Sequence, residues 1–325
     1  MSLKLISKYR SCLMALAMIW IGCYHTYYCP KIKVFDFLIY RHGYLGIDVF
    51  VFLSGFGIYH SIKKNDGFKT YIWRRIKRIF PYCIPIYIVY SWLSKEKILY
   101  TFADCLGLSI FIRNNLVNWF TSFVFILYLL SPLFIKIFDK KPTLITMLSI
   151  IIIILLCFIS NKFDFIYVYF RICVYILGLY FGYLHYNNIQ ISSFIYFIIF
   201  GLSVFGFASI YFLNHYYRND IMYIIPSILI VPGLLLFTCF ILDKVKILYK
   251  PLNYLGSFTY QFYLLNIYVV DYMTTRMYGL LYRPGIHFDF WLSHSTIIIS
   301  IILSIIYKKL IDSTLNVIMK KEKTL

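Results

Sequence analysis

Long apolar runs separated by short polar stretches dominate the chain, and the run 144–159 contains no charged residue. A helix that crosses a bilayer needs about 20 mostly apolar residues, so such runs predict membrane-spanning helices. The segments of sufficient length are 11–29, 43–62, 79–93, 116–135, 143–160, 168–186, 192–213, 221–241, 254–275 and 290–310. The pattern predicts an all-α integral membrane protein, a single bundle of about ten transmembrane helices.

The segments between these runs predict no second domain. Segment 98–112 is amphipathic and more polar, which is typical of an interfacial or re-entrant piece. Residues 1–29 lack a small-residue cleavage motif, so we expect an uncleaved first span. We find no internal repeat and no soluble region, and we expect one polytopic domain over residues 1–325.

Composition supports the same class of protein. The chain is 61% hydrophobic and 14% charged, with a mean hydropathy of +0.76, whereas soluble domains carry about a quarter charged residues. The eight cysteines are scattered without a C-x-x-C pair. They are typical of small buried hydrophobic residues, and we expect neither a disulfide frame nor a metal site.

The net charge of +19 arises from 32 basic against 13 acidic residues. With both termini placed in the cytoplasm, 21 basic residues lie in inner stretches, 10 in outer loops and one, Arg171, within a span. This bias agrees with the positive-inside rule. It predicts cytoplasmic termini and argues against nucleic-acid binding.

Two polar residues inside predicted spans are candidates for catalysis, because polar groups there are costly. His25 lies near the outer end of the first span, and Asp48 lies near the same face in the second. A carboxylate beside an imidazole fixes its tautomer and suits it to act as a general base. The alternatives are that His25 is a satisfied structural group and that Asp48 only caps or pairs within the bundle.

A run of basic residues on the inner side, 73–81, holds four cations. On a helix, Arg75 and Arg78 lie three residues apart and face the same way. Two guanidinium groups on one face form a good phosphate clamp, with Arg74 beside them. The alternative is attraction to lipid headgroups combined with the positive-inside rule.

In this order, these features resemble the acyltransferase-3 family of bacterial membrane acyltransferases. The similar blocks are 11–25, 46–56, 75–81, 119–133, 171–182 and 255–264. The resemblance implies a multi-pass protein with about ten helices in the bacterial cytoplasmic (inner) membrane. It also implies O-acyl transfer, usually of acetyl, from cytosolic acyl-CoA to an envelope glycan or lipid-linked saccharide. By that resemblance His25 matches the catalytic histidine, and Arg75 and Arg78 match residues that hold acyl-CoA.

The sequence departs from the family pattern at three positions. The family usually has a basic residue where this chain has Met14, and Arg10, one helical turn earlier, is expected to replace it. Glu and His are common in the family where this chain has Gln261 and Asn266. Both substitutes keep hydrogen-bonding capacity without charge.

The expected mechanism places the CoA phosphates on the arginines and the thioester at His25, about 22 Å of helix away from Arg10. His25 acts as a base on the acceptor hydroxyl, or first takes the acyl group itself. The expected acceptor or oxyanion contacts are Gln261, Asn266, Tyr263, Arg171 and Trp119.

Three other classes of protein remain open. A transporter or lipid-linked sugar flippase also has many spans, although broken helices and inverted repeats are not evident here. A polysaccharide polymerase or ligase would favour large outer loops, and the outer loops here are short. A non-catalytic member of the same fold is suggested by Met14, Gln261 and Asn266. The pattern does not identify the acceptor sugar, the acyl chain or the oligomeric state.

Overall fold

A computed structural model describes residues 3–26, 31–64, 67–108, 119–159, 170–216, 224–273 and 290–322. The structure is 89% helical, and no strand occurs within these ranges. The all-α fold class is therefore confirmed.

Helices of eight or more residues are numbered here in chain order. They are α1 (Lys4–His25), α2 (Leu45–Lys63), α3 (Phe68–Leu93), α4 (Ile98–Cys105), α5 (Trp119–Phe138), α6 (Pro142–Ile159), α7 (Arg171–Tyr186), α8 (Ser193–Tyr216), α9 (Ile224–Lys244), α10 (Tyr249–Gly256), α11 (Thr259–Tyr272) and α12 (Phe290–Glu322). A short helical segment, 33–41, precedes α2.

Six of these helices, α1, α2, α5, α8, α9 and α12, are long and apolar enough to cross a membrane. The protein is thus a multi-pass membrane protein. Each of the ten predicted segments overlaps a helix, but the count of ten spans and the cytoplasmic termini stay predictions.

Two boundaries differ from those predicted from the apolar pattern. The segment 254–275 is interrupted after α10, because Gly256 lies against the backbone of Ser11 and the chain turns before α11. A Cβ at Gly256 would lie only 2.1 Å from the Ser11 carbonyl oxygen. The basic run 73–81 is not a loop but part of α3. Of the predicted interfacial segment 98–112, α4 covers the first part, and 109–112 lie outside the described residues.

The chain forms two compact units. Unit 1 comprises Met1–Ala17, Leu45–Tyr71 and Tyr128–Gly256, and unit 2 comprises Met18–Tyr44, Ile72–Leu127 and Ser257–Leu325. The single domain over 1–325 stays a prediction.

Unit 1 is built around the packing of α2 on α7. Glycines let the two backbones touch: a Cβ at Gly55 would lie 2.3 Å from the Tyr175 carbonyl oxygen, and one at Gly178 would lie 2.1 Å from the Phe52 carbonyl oxygen. Small residues at such interfaces are characteristic of membrane helix pairs.

Unit 2 is held together by contacts of α3 and α11 with the long α12. Helices α11 and α12 pack along each other. At the other edge, the Tyr82 hydroxyl donates to Asp312 at 2.5 Å, and the Tyr307 hydroxyl donates to the Tyr82 carbonyl oxygen at 2.6 Å. These bonds connect the middle of α3 to the second half of α12.

We expect Gly178→Ala to destabilise the protein by about 2 kcal/mol, because its methyl group would overlap the backbone of α2. Gly201→Ala is the matched control, since a Cβ at that position on α8 meets nothing within 4 Å. The measurement is the unfolding free energy of the two variants in the same detergent. Equal stability of the two would contradict the close α2–α7 approach.

Candidate functional site

His25 is the last residue of α1, and its imidazole is partly buried in unit 2. Its Nδ1 lies 2.9 Å from Oδ1 of Asn266 in the middle of α11. Gly22 allows this approach, because a Cβ there would lie 3.1 Å from Cζ of Phe262. The Nδ1 edge of the imidazole therefore faces a buried amide of the next helix.

Asn266 is itself held from the far side by α12. Its Nδ2 donates to Oγ of Ser300 at 3.1 Å, and the Ser300 hydroxyl donates to the carbonyl oxygen of Thr296 at 2.8 Å. Both Asn266 and Ser300 are at most 1% exposed. The chain of hydrogen bonds thus runs in one direction and ends on a backbone acceptor.

This direction determines the tautomer of His25. Since the Asn266 amide uses a Nδ2 hydrogen on Ser300, its Oδ1 is the atom that faces the histidine, and an oxygen only accepts. The imidazole must therefore carry its hydrogen on Nδ1. In the neutral imidazole the lone pair is then on Nε2, the nitrogen that could act as a base or nucleophile.

Asp48 has a different partner from the one expected. In unit 1, its carboxylate is fully buried and lies 3.0 Å from Nε of Arg171, whose side chain is 6% exposed. Asn266, and not Asp48 as predicted, is the side chain that contacts His25. Asp48 instead pairs within the bundle, which was the alternative interpretation. A fully buried carboxylate requires a cation nearby, and Arg171 at the start of α7 supplies it.

Arg10 lies on α1 in unit 1 and packs against α2. Its Nη2 donates to the Leu53 carbonyl oxygen at 3.0 Å, and the guanidinium covers Gly57, where a Cβ would lie 2.5 Å from Nη2. The glycine therefore makes room for the arginine. The observed contact is structural, so binding of acyl-CoA by Arg10 stays a prediction.

The three arginines of the predicted phosphate clamp lie on one helix, α3, in unit 2. Arg75 is partly buried, whereas Arg74 and Arg78 are exposed. The helix confirms the spacing of one turn between Arg75 and Arg78.

The acidic residue near this group is already engaged. Asp312 of α12 accepts from Lys308 at 2.7 Å and from Tyr82, one turn beyond Arg78. Its negative charge is therefore matched by Lys308.

The remaining predicted contacts lie elsewhere in unit 2. Gln261 is buried, with 4% of its surface exposed. The ring centroid of Phe120 lies 4.9 Å from that of Tyr263 and 5.7 Å from that of Trp119. Asn266 is thus the member of that predicted set that the structure brings to His25.

Ser300 and Thr296 were not predicted from the sequence as site residues. A signal was present: Ser293, Thr296, Ser300 and Ser304 recur at three- and four-residue spacing on an otherwise apolar helix. All four are at most 2% exposed. Such a buried polar stripe indicates a face that meets a polar group on another helix.

A profile of a known family, described as an acyltransferase domain, matches residues 12–307. This range covers most of the 325 residues and includes the histidine, the α3 arginines and the α11 amide. The chain belongs to the acyltransferase-3 family. No curated protein and no solved structure matches it.

Two features of unit 2 bear on the chemistry of this membrane acyltransferase. One is a histidine whose Nε2 is available as a base. The other is a cluster of guanidinium groups on a single helix, suited to phosphate. Asn266 departs from the family pattern but satisfies His25 without adding charge.

We expect Asn266→Ala to lower the kcat of acyl transfer about 100-fold, because the imidazole loses the group that sets its tautomer and position. Ser300→Ala should lower kcat less, since the Asn266 side chain remains. KM for both substrates should stay unchanged in each variant. Steady-state kinetics on purified protein check this.

The matched control is Ser304→Ala, a buried serine one turn further along α12 that donates to the Ser300 carbonyl oxygen instead. Its kcat should equal that of the parent protein. Equal loss of kcat in Ser300→Ala and Ser304→Ala would show that the effect is general damage to α12 and not loss of the Asn266 contact.

We expect Arg171→Met to cost about 3–5 kcal/mol of stability, because it leaves the Asp48 carboxylate buried without a cation. The double variant with Asp48→Leu should recover most of this loss. Lys8→Met, which breaks the exposed pair with Asp243, should have a far smaller effect. The free energy of unfolding in detergent is measured for the single, double and control variants. A double variant no more stable than Arg171→Met would refute a structural role for the Asp48–Arg171 pair.

Proposed function

We propose that the protein transfers an acyl group, specifically acetyl, from cytosolic acyl-CoA to a hydroxyl of an envelope or exported polysaccharide in the bacterial cytoplasmic membrane. The observation that carries the proposal is the hydrogen-bond chain that holds the Nδ1 hydrogen of His25 on Asn266, so that Nε2 is the nitrogen left for proton transfer. A general base of this kind is what attack by a sugar hydroxyl requires.

In the proposed reaction, Nε2 of His25 removes the proton of the acceptor hydroxyl. The hydroxyl oxygen attacks the thioester carbonyl carbon, and the C–S bond of the tetrahedral intermediate breaks. The proton on Nε2 passes to the CoA thiolate, so an ester and free CoA are formed and His25 is regenerated. Asn266 stabilises the imidazolium by accepting from Nδ1 throughout.

The Nε2 lone pair also allows the second route, in which His25 takes the acyl group before the acceptor does. The two routes differ in one observable. An acyl-histidine accumulates on rapid quenching with acyl-CoA alone in the second route and not in the first.

The α3 arginines are the proposed site of the CoA phosphates. Arg75 and Arg78 present two guanidinium groups one turn apart, and Arg74 adds a third charge. Guanidinium groups bind phosphate oxygens in a bidentate manner that lysine does not reproduce.

The relative direction of α3 and α11 supports a path for the pantetheine arm from the arginines to His25. Cys83 contacts Tyr260, and the rings of Tyr90 and Tyr268 lie 4.4 Å apart. Residue numbers increase together on both helices, so α3 and α11 run parallel. The arginines and His25 are therefore at different levels along this helix pair.

Along the helix axes, Arg78 lies about 16 Å from the level of Asn266. Between these levels is a cluster of hydroxyl groups: Tyr87 donates to Thr121 at 2.8 Å, and Thr121 lies 3.4 Å from the Tyr260 hydroxyl. Uncharged polar groups at this depth suit the amides of a pantetheine arm. Phosphates held at the arginines would then present the thioester to His25.

The proposed acceptor and oxyanion contacts come from α5 and α11. Gln261 and Tyr263 are uncharged donors on the same helix as Asn266, and we assign them to the oxyanion of the tetrahedral intermediate. Trp119 remains the proposed sugar contact. Arg171 is committed to Asp48 and is left out of the reacting groups.

Membranes supplied with labelled acetyl-CoA and acceptor test the function. We expect His25→Ala to abolish label transfer and His294→Ala to retain it, although His294 also lies in unit 2 and contacts the Tyr40 hydroxyl. Arg75→Ala with Arg78→Ala should raise KM for acetyl-CoA about tenfold or more, through lost charge-assisted hydrogen bonds. Envelope glycans from cells with and without the protein should differ in mass by whole acetyl groups.

Normal label transfer by His25→Ala would overturn the mechanism. Identical glycan masses with and without the protein would overturn the polysaccharide acceptor while leaving acyl transfer itself intact. Retention of labelled acetyl-CoA transfer with an unchanged KM in the double arginine variant would remove the arginines from the donor site.

A further inference from the structure

We propose that unit 1 contains a binding site for one anionic phospholipid, in the cavity between the end of α2, the start of α3 and the second half of α5. The cavity is about 710 Å³. Sites for small ligands in proteins span roughly 300–1,000 Å³, so this one accommodates a headgroup and the upper part of the acyl chains.

The wall formed by α5 changes from apolar to charged along its length. Leu129, Leu133 and Lys136 line the cavity on one face, four and then three residues apart. The distance from the first to the last is about 10 Å along the axis. Leu133 is 62% exposed, and Phe68 on the α3 side is 59% exposed. The cavity thus has a hydrocarbon-lined part and a cationic mouth.

The mouth has an excess of positive charge. Asp139 accepts from Lys63 at 2.5 Å and from the Tyr59 hydroxyl at 2.9 Å, so its charge is already matched. Lys136 has no carboxylate within 4.0 Å in the part of the chain that the structure describes. An anionic group is therefore the complement of the mouth, and it would meet the Lys136 ammonium.

The apolar wall identifies the occupant as a lipid and not a soluble anion. Helix α5 is one of the helices long and apolar enough to cross the membrane, so its exposed leucines lie in hydrocarbon. A soluble phosphate would leave that part of the cavity without a partner. A phospholipid places its phosphate at Lys136 and its chains along Leu129 and Leu133. Anionic lipids of the cytoplasmic leaflet meet this end of α5 in the predicted orientation.

Native mass spectrometry of the full chain in detergent tests the site, with phosphatidylglycerol and phosphatidylcholine of equal chain length as probes. We expect one phosphatidylglycerol to be retained in preference to phosphatidylcholine. Lys136→Gln should lower that retention about five-fold. Lys140→Gln, in the exposed turn after α5 and outside the cavity wall, should leave it unchanged.

A second pair of variants tests the apolar wall without changing charge. Leu133→Trp fills the cavity and should lower phosphatidylglycerol retention, whereas Leu130→Trp, exposed but outside the cavity wall, should not. Glycerol 3-phosphate at the same concentration should fail to displace the lipid.

Any of three results would overturn the proposal: no preference for phosphatidylglycerol, equal retention in either matched pair of variants, or displacement by glycerol 3-phosphate. The last would assign the mouth to a soluble phosphate. None of these variants touches unit 2, so the outcome is independent of the proposed acyl transfer.

Discussion

Inside apolar helices there is no water to satisfy a polar side chain, so each buried polar group must find its partner on another helix. This constraint accounts for two buried polar contacts, one in each unit. In unit 1 it pairs Asp48 with Arg171 across α2 and α7. In unit 2 it aligns His25, Asn266 and Ser300 across α1, α11 and α12. Each contact also holds two helices in register.

The Asp48–Arg171 contact is charged and the His25–Asn266–Ser300 contact is neutral, and this difference matters for proton transfer. An ion pair buried between helices is satisfied only while both groups stay charged, which suits a fixed structural contact. The chain from His25 to Ser300 is neutral and has a single direction. It therefore leaves the histidine free to gain and release a proton on Nε2 while Nδ1 keeps its acceptor. A departure from the usual family residue at Asn266 is thus compatible with the same role for the histidine.

Charge is distributed differently at the predicted inner ends of the two units. In unit 2, Lys308 matches the acidic residue that contacts α3, and the α3 arginines are the proposed phosphate site. In unit 1, Asp139 is matched by Lys63, and Lys136 remains at the mouth of a partly apolar cavity. The first arrangement suits a phosphate-bearing soluble donor, and the second suits a phosphate attached to hydrocarbon.

The sequence by itself determined the class of protein, since hydropathy and helix length depend on local composition. It also located His25 and the α3 arginines, because a motif on one helix has the geometry of that helix. Only the tertiary structure decided the partners. Asp48 was the predicted partner of His25, and Asn266 was predicted only as an acceptor or oxyanion contact. The packing of α2 on α7 pairs Asp48 with Arg171, while α11 brings Asn266 to the histidine. Which face of a helix meets which neighbour depends on residues more than a hundred positions apart, and no local pattern encodes that choice.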